Sequence, residues 1–249
     1  MSSNSLTTTP VQEIRPRQSI STGLRSPGLL ASQPMIGLAM FIIGVLVFAG
    51  LAINLKMQGP LIKWDQYLAS TLPAIGLSSP HYVELIINAG FYLGKEVIMV
   101  IDVLLAIYFI RKKYWQEFAM VTIGWLGSAL IFFILSHIFL RARPTNMIWI
   151  IVKIPGFPSG HAIATVTFYL LLAYLLIPRA QTFFGKAAVA LVSLLIILFI
   201  GFSRIFTGGH YLTDILAGYA VGIAWSGMAY TLIELYFQRR KRVLRKEGI

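Results

Sequence analysis

Long apolar runs follow one another along this chain, and that pattern leaves it few possible folds. Residues 36–55 supply about the ~20 residues an α-helix needs to cross ~30 Å of hydrocarbon, and comparable stretches cover 118–140, 187–202 and 212–237. Within a bilayer each backbone N–H and C=O must find its partner inside the segment, so such runs become helices. Further apolar stretches at 97–110 and 162–177 complete a predicted bundle of six transmembrane helices, an all-α polytopic membrane protein. The second span is the shortest unless it extends back through Gly94, Lys95 and Glu96. It also holds Asp102, a costly residue at the bilayer centre, so it is expected to tilt or to pack inward. Composition agrees: 57% of the residues are hydrophobic and 12% charged, against roughly 45–50% and about 25% in soluble domains.

The remaining segments organise the chain around this bundle. Residues 1–34 are rich in Ser, Thr and Pro and lack the apolar density that offsets the entropy of ordering, so a flexible tail is expected. The first apolar run begins too late to read as a secretory leader. Between the first two spans, Pro60, Pro73, Gly76 and Pro80 punctuate amphipathic pieces that suit interfacial helices. The expected division is therefore a tail at 1–34, one membrane domain at 35–238 and a basic tail at 239–249.

A net charge of +12 could indicate nucleic acid, but in a membrane protein basic residues set orientation, and no nucleic-acid partner is expected. Arg15, Arg17, Arg25, Arg111, Lys112, Lys113, Arg179, Lys186 and the six basic residues from Arg239 to Lys246 share one side of the six-span arrangement. Only Lys56, Lys63, Lys95, Arg141, Arg143, Lys153 and Arg204 lie on the other. Both termini are thus predicted to be cytoplasmic, in a multi-pass cell-membrane protein whose odd-numbered connections are extracytoplasmic. The basic C-terminus serves this reading as an anchor at the anionic inner leaflet.

With no cysteine, thiolate chemistry is excluded, and His81, His137, His161 and His210 remain as the groups that titrate near neutral pH. Two of them stand in polar clusters on the odd connections. Pro158-Ser159-Gly160-His161 opens the fourth span, where unpaired N–H groups and partial positive charge suit an anion, although taken alone a plain serine cap with an interfacial histidine is the more ordinary reading. In the fifth connection His210 and Asp214 are four apart, a spacing that on a helix lets the carboxylate bond one imidazole nitrogen and leave the other as base or nucleophile, or that makes a structural pair capping the sixth span. The turn Thr207-Gly208-Gly209 precedes them. Arg143 and Arg204 end their spans, and each alone reads as a snorkelling residue. Two arginines, a helix N-terminus and two histidines together supply what phosphoryl transfer requires.

Arg143-Pro144, Pro158-Ser159-Gly160-His161 and Ser203-Arg204 followed by His210 and Asp214 resemble, in order, the three-part signature of the type 2 phosphatidic acid phosphatase superfamily. The likeness covers the third to sixth spans. It implies that His210 attacks phosphorus to form a phosphohistidine, that Asp214 orients it, and that His161 protonates the leaving oxygen and then activates water. Arg143, Arg204, Ser159 and Gly160 would bind the phosphate, without metal or other cofactor. One position departs from the signature: Ser136 stands where the family carries a lysine. Arg141 or His137 is available to replace that charge.

A site at headgroup level implies a lipid phosphate or diphosphate as substrate, such as phosphatidate, undecaprenyl diphosphate, phosphatidylglycerol phosphate or a lipid A phosphate, with undecaprenyl diphosphate or phosphatidate preferred. The stretch from Met147 to Ile154, with Trp149 and Lys153, is expected to border a lateral entrance for it. Zinc on His161, His210 and Asp214 is a poorer reading, because two arginines crowd the same place. The competing reading is a non-catalytic transporter or scaffold that binds anionic lipid.

Overall fold

The structure, a computed structural model, describes residues 33–148 and 154–247. The proposed entrance residues Trp149 and Lys153 and nearly all of the N-terminal tail lie outside the described residues. Every regular element among the described residues is helical: α1 (Pro34–Lys56), α2 (Leu61–Leu77), α3 (Pro80–Tyr92), α4 (Lys95–Arg111), α5 (Trp115–Phe139), α6 (Gly160–Leu176), α7 (Phe183–Phe206) and α8 (Leu212–Lys246). Helices α1, α5, α7, α8 and α6 with its 3₁₀ extension to Arg179 are long and apolar enough to cross a membrane. Helix α4, with 17 residues, is the short member.

The bundle turns its large apolar side chains outward as well as inward. Leu46, Phe133 and Leu195 are all more than half exposed, which in water would cost ~25 cal/mol per Å² but is neutral against lipid tails. Association then depends on close packing and polar contacts. Helices α1 and α8 show how: Gly37 and Gly44 face Gly227, Ala220, Ala224 and Thr231 so closely that a Cβ on either glycine would strike the α8 backbone. Pro34 opens α1 at a position where its missing N–H costs nothing.

Helix α6 is the central post. It packs against α4, α5, α7 and α8, and Ala162, Ile163, Val166, Phe168 and Leu171 are buried along it. Asp102 packs inward, 6% exposed, beside Ser128, Thr167 and Tyr230, which resolves the tilt-or-pack alternative for α4. Pieces expected at the interface form α2 and α3, and Pro73 lies inside α2. At 1.5 Å per residue, the 35 residues of α8 reach about 52 Å, longer than the hydrocarbon core, and the helix runs on unbroken into the basic segment that begins at Arg239. One end of the bundle gathers the start of α4, the end of α5, the start of α6, the end of α7 and the start of α8. The polar clusters meet there.

Candidate active site

His210 occupies the turn between α7 and α8. Gly209 and His210 donate backbone N–H groups to the Arg204 carbonyl, at 2.9 and 3.2 Å, and Gly208 adopts φ +70°, which glycine takes without penalty. The histidine is 1% exposed. Its Nδ1 lies 3.0 Å from the Gly156 carbonyl oxygen, and a carbonyl only accepts, so Nδ1 carries the proton. The lone pair of Nε2 therefore faces Arg143 Nη1, which donates to it at 2.9 Å. Gly156 is tightly enclosed: a Cβ there would press on the Arg143 side chain and on Asp214 Oδ2 at 3.2 Å each. Burial pushes the His210 imidazole below its ordinary value, the bond toward Asp214 opposing and the Arg143 charge assisting. Burial likewise lowers the pKa of Arg143, with Asp214 opposing.

Asp214 does not share a helix face with His210, because α8 begins only at Leu212. It is the third residue of that helix, and its Oδ2 accepts from Tyr211 N at 2.9 Å as part of a capping box. The same oxygen stands 3.4 Å from His210 Nδ1, so Gly156 holds the ring more closely than the carboxylate does. Oδ1 accepts from Arg141 at 2.6 Å. Arg141 bonds as well to Asp65, which comes from α2, is fully buried and accepts from Thr213 N and Oγ1.

His161 is the second residue of α6, its ring centroid 6.4 Å from that of His210. Glu96 of α4 accepts from its Nε2 at 3.1 Å. Ser159 is placed differently from the expectation of a phosphate contact: it is buried, its Oγ accepts from Ala162 N at 3.4 Å, and its own N–H is committed to the Asp214 carbonyl at 3.0 Å. Of the tetrapeptide, Gly160 and His161 reach the cavity. Gly160 lacks a side chain because Phe132 fills the space a Cβ would need, at 3.0 Å.

These groups line a cavity of about 700 Å³, within the ~300–1,000 Å³ usual for ligand sites. Its wall is apolar along Ile86, Ile87, Phe91, Phe132, Met147 and Ile154, and its cations are Lys95, Arg143 and Arg204. Arg204 Nη2 donates to the Gly90 carbonyl at 3.0 Å, while its buried Nε has no partner among the described residues. Neither sequence candidate for the missing lysine reaches this space. Arg141 is held by two carboxylates, and His137 is exposed and bonds Phe133 O within its own helix at 2.7 Å. Ser136 is fully buried and donates to the same carbonyl. His81, exposed in the first turn of α3, does not line the cavity either. Among the described residues no three His, Asp or Glu side chains cluster as metal ligands.

The class that fold and site define is a polytopic all-helical membrane protein with a cationic, histidine-bearing cavity at one end of its bundle. Residues 118–237 match the family model of the PAP2 superfamily, a stretch that takes in all three motif segments. Over 92 residues it is 28% identical to phosphatidylglycerophosphatase B of Bacillus subtilis (strain 168), a match that spans 36% of this chain and 43% of that protein. The fold is similar to a crystal structure of a transmembrane PAP2 type phosphatidylglycerolphosphate phosphatase from Bacillus subtilis, with a TM-score of 0.65 and 20% identity over 83% of this chain and 98% of that one.

Proposed function

We propose that this protein hydrolyses a lipid phosphate or diphosphate, without metal, through a phosphohistidine on His210 at the extracytoplasmic face. The observation that carries the reading is the His210 ring, pinned through Nδ1 to Gly156 with its Nε2 lone pair aimed at a cation in an apolar-walled cavity. Nε2 attacks phosphorus, the bond to the leaving oxygen breaks, and His161 gives that oxygen a proton. Water then attacks phosphorus and passes a proton back to His161 as the phosphorus–nitrogen bond breaks, which releases phosphate and the neutral His210 ring. Arg143, the free Nε of Arg204 and the first amides of α6 at Gly160 and His161 neutralise the phosphoryl oxygens. Ser159 acts behind them, as the cap that fixes where α6 begins. The extracytoplasmic placement rests on the distribution of basic residues between the two sides. The apolar wall suits an acyl or polyprenyl chain, so phosphatidate, undecaprenyl diphosphate and phosphatidylglycerol phosphate are the substrates to compare.

Detergent-purified protein is expected to release phosphate from at least one of these lipids in the presence of EDTA. Loss of turnover in EDTA, restored by a divalent ion, would sink the metal-free reading. The same assay carries a pH test. Protonation of Nε2 removes the attacking lone pair, so turnover falls as pH drops through the His210 pKa; since burial lowers that pKa from 6.5, the fall comes below pH 6.5. An acid limb centred above pH 6.5 would place the titrating group elsewhere.

Lys95 stands in for the family lysine absent at Ser136. It enters from the first turn of α4 rather than from α5, and it is exposed to the cavity that Ser136 does not reach. A hydrogen bond to a charged group is worth ~1.5–3 kcal/mol, so Lys95→Met is expected to raise KM about ten- to a hundredfold, with Lys95→Arg near wild type. Unchanged KM in Lys95→Met would remove this lysine from the phosphate site.

A further inference from the structure

Helix α4 contributes a second charged residue to the cavity, one that neither the signature motifs nor the hydrolysis scheme uses. Glu96 Oε1 lies 3.1 Å from His161 Nε2, and its Oε2 is buried with no partner among the described residues. The corner that carries this carboxylate is pinned from two sides. Tyr169, eight residues along α6 from His161, donates its hydroxyl to the Leu93 carbonyl at 3.3 Å. Arg204, at the end of α7, donates to the Gly90 carbonyl at 3.0 Å. Gly94 leaves no space for a side chain, since a Cβ there would strike the Gly90 carbonyl oxygen and stand 3.3 Å from both Arg204 Nη2 and Glu96 Oε2. The carboxylate is thus delivered to His161 by a built corner rather than by a free surface side chain.

We propose that Glu96 is a positioning residue that holds the His161 ring through Nε2–H and so assigns proton transfer to Nδ1. A carboxylate accepts only, so the neutral ring in this pair carries its proton on Nε2 and offers a lone pair at Nδ1. The imidazolium form donates from Nδ1 while Nε2–H stays on Glu96, so one nitrogen serves as acid in the first half-reaction and as base in the second. His210 is arranged the other way round, with Nδ1 held by Gly156 and Nε2 free. Two rings held through opposite nitrogens, with centroids 6.4 Å apart, form the two sides of one phosphoryl site.

This assignment rests on the phosphatase reading, and the test separates the two. The chain has four histidines, so ¹⁵N-imidazole spectra of the whole protein in micelles can be assigned with one variant per histidine. Above its titration, wild-type His161 is expected to show the Nε2–H tautomer alone, and Glu96→Ala an averaged pair of ring signals. A His161 ring with Nδ1–H in the wild type, or the same tautomer in Glu96→Ala, would overturn the proposal whether or not the protein is a phosphatase. With phosphatidate or undecaprenyl diphosphate as substrate, Glu96→Ala is expected to lower kcat about a hundredfold with KM within threefold, in the range of a general acid–base contribution. A rise in KM with kcat unchanged would make Glu96 a binding residue and overturn the positioning role. Wild-type protein that turns over no lipid phosphate while showing the expected tautomer would leave Glu96 holding His161 and discard the phosphatase reading alone.

Discussion

Replacing His210 by Asn is expected to abolish phosphate release while leaving the fold intact, the largest effect of any single substitution in the cavity. Asparagine keeps a donor close to where Nδ1–H stands, so the Gly156 carbonyl retains its partner, and Arg143 keeps its bonds to the carbonyls of Gly209 at 2.8 Å and Ile154 at 2.9 Å. What disappears is the nitrogen at the Nε2 position. Loss of a covalent nucleophile lowers kcat by about 10⁴-fold or more, whereas loss of a binding group costs one or two powers of ten. Two measurements accompany each other: turnover of the lipid, and acid-labile ³²P retained on protein quenched during turnover of labelled substrate. Wild type should carry the label and His210→Asn should not. If His210→Asn kept more than a few per cent of wild-type turnover, the covalent route would be wrong. If the label persisted in the variant, another residue would be the acceptor.

Much of this was legible in the sequence because it was local. Apolar runs announced α1, α5, α7 and α8, and the opening of α6 was marked by Ser159, a preferred cap, which is the role its hydroxyl takes. The resemblance that grouped His161, Arg143, Arg204 and His210 came from motif order, and those four side chains line one cavity. What sequence spacing misplaced was non-local. A spacing of four from His210 to Asp214 suggested one helical face, yet the group that accepts the ring N–H is the Gly156 carbonyl, 54 residues away, and no periodicity reports a carbonyl delivered by another connection. Lys95 and Glu96 left a faint trace, a charged pair at the threshold of an apolar run, where ionisable residues are expensive and so informative. Asp65 left none. It sits in an amphipathic segment that reads as interfacial, and only the packing of α2 against α8 reveals it as fully buried.

That burial sets the second large effect, in Arg141→Met. The guanidinium, 10% exposed, bridges Asp65 and Asp214 at 2.6 Å each, reaches Thr213 Oγ1 at 2.7 Å, and lies 4.2 Å from the centre of the Tyr211 ring. Methionine would fill much of the volume but would strand two buried carboxylates without a cation. Breaking one such pair costs about 3–5 kcal/mol, because the desolvation already incurred is no longer offset by the partner charge. Arg141→Met is therefore expected to lose about that much stability in detergent unfolding, and to lose activity with it, since Asp214 sets both the start of α8 and the outer contact of His210. Asp65→Asn is expected to be milder, because the amide oxygen can still accept from Thr213 N. The pair of variants also decides what Arg141 is for. As a phosphate ligand it would show a raised KM on a protein of wild-type stability, and that result would mean that the bridge to Asp65 and Asp214 opens when substrate binds. As the structural cation between α2 and α8 it shows the reverse: lost stability in Arg141→Met, with the KM of the folded fraction close to wild type.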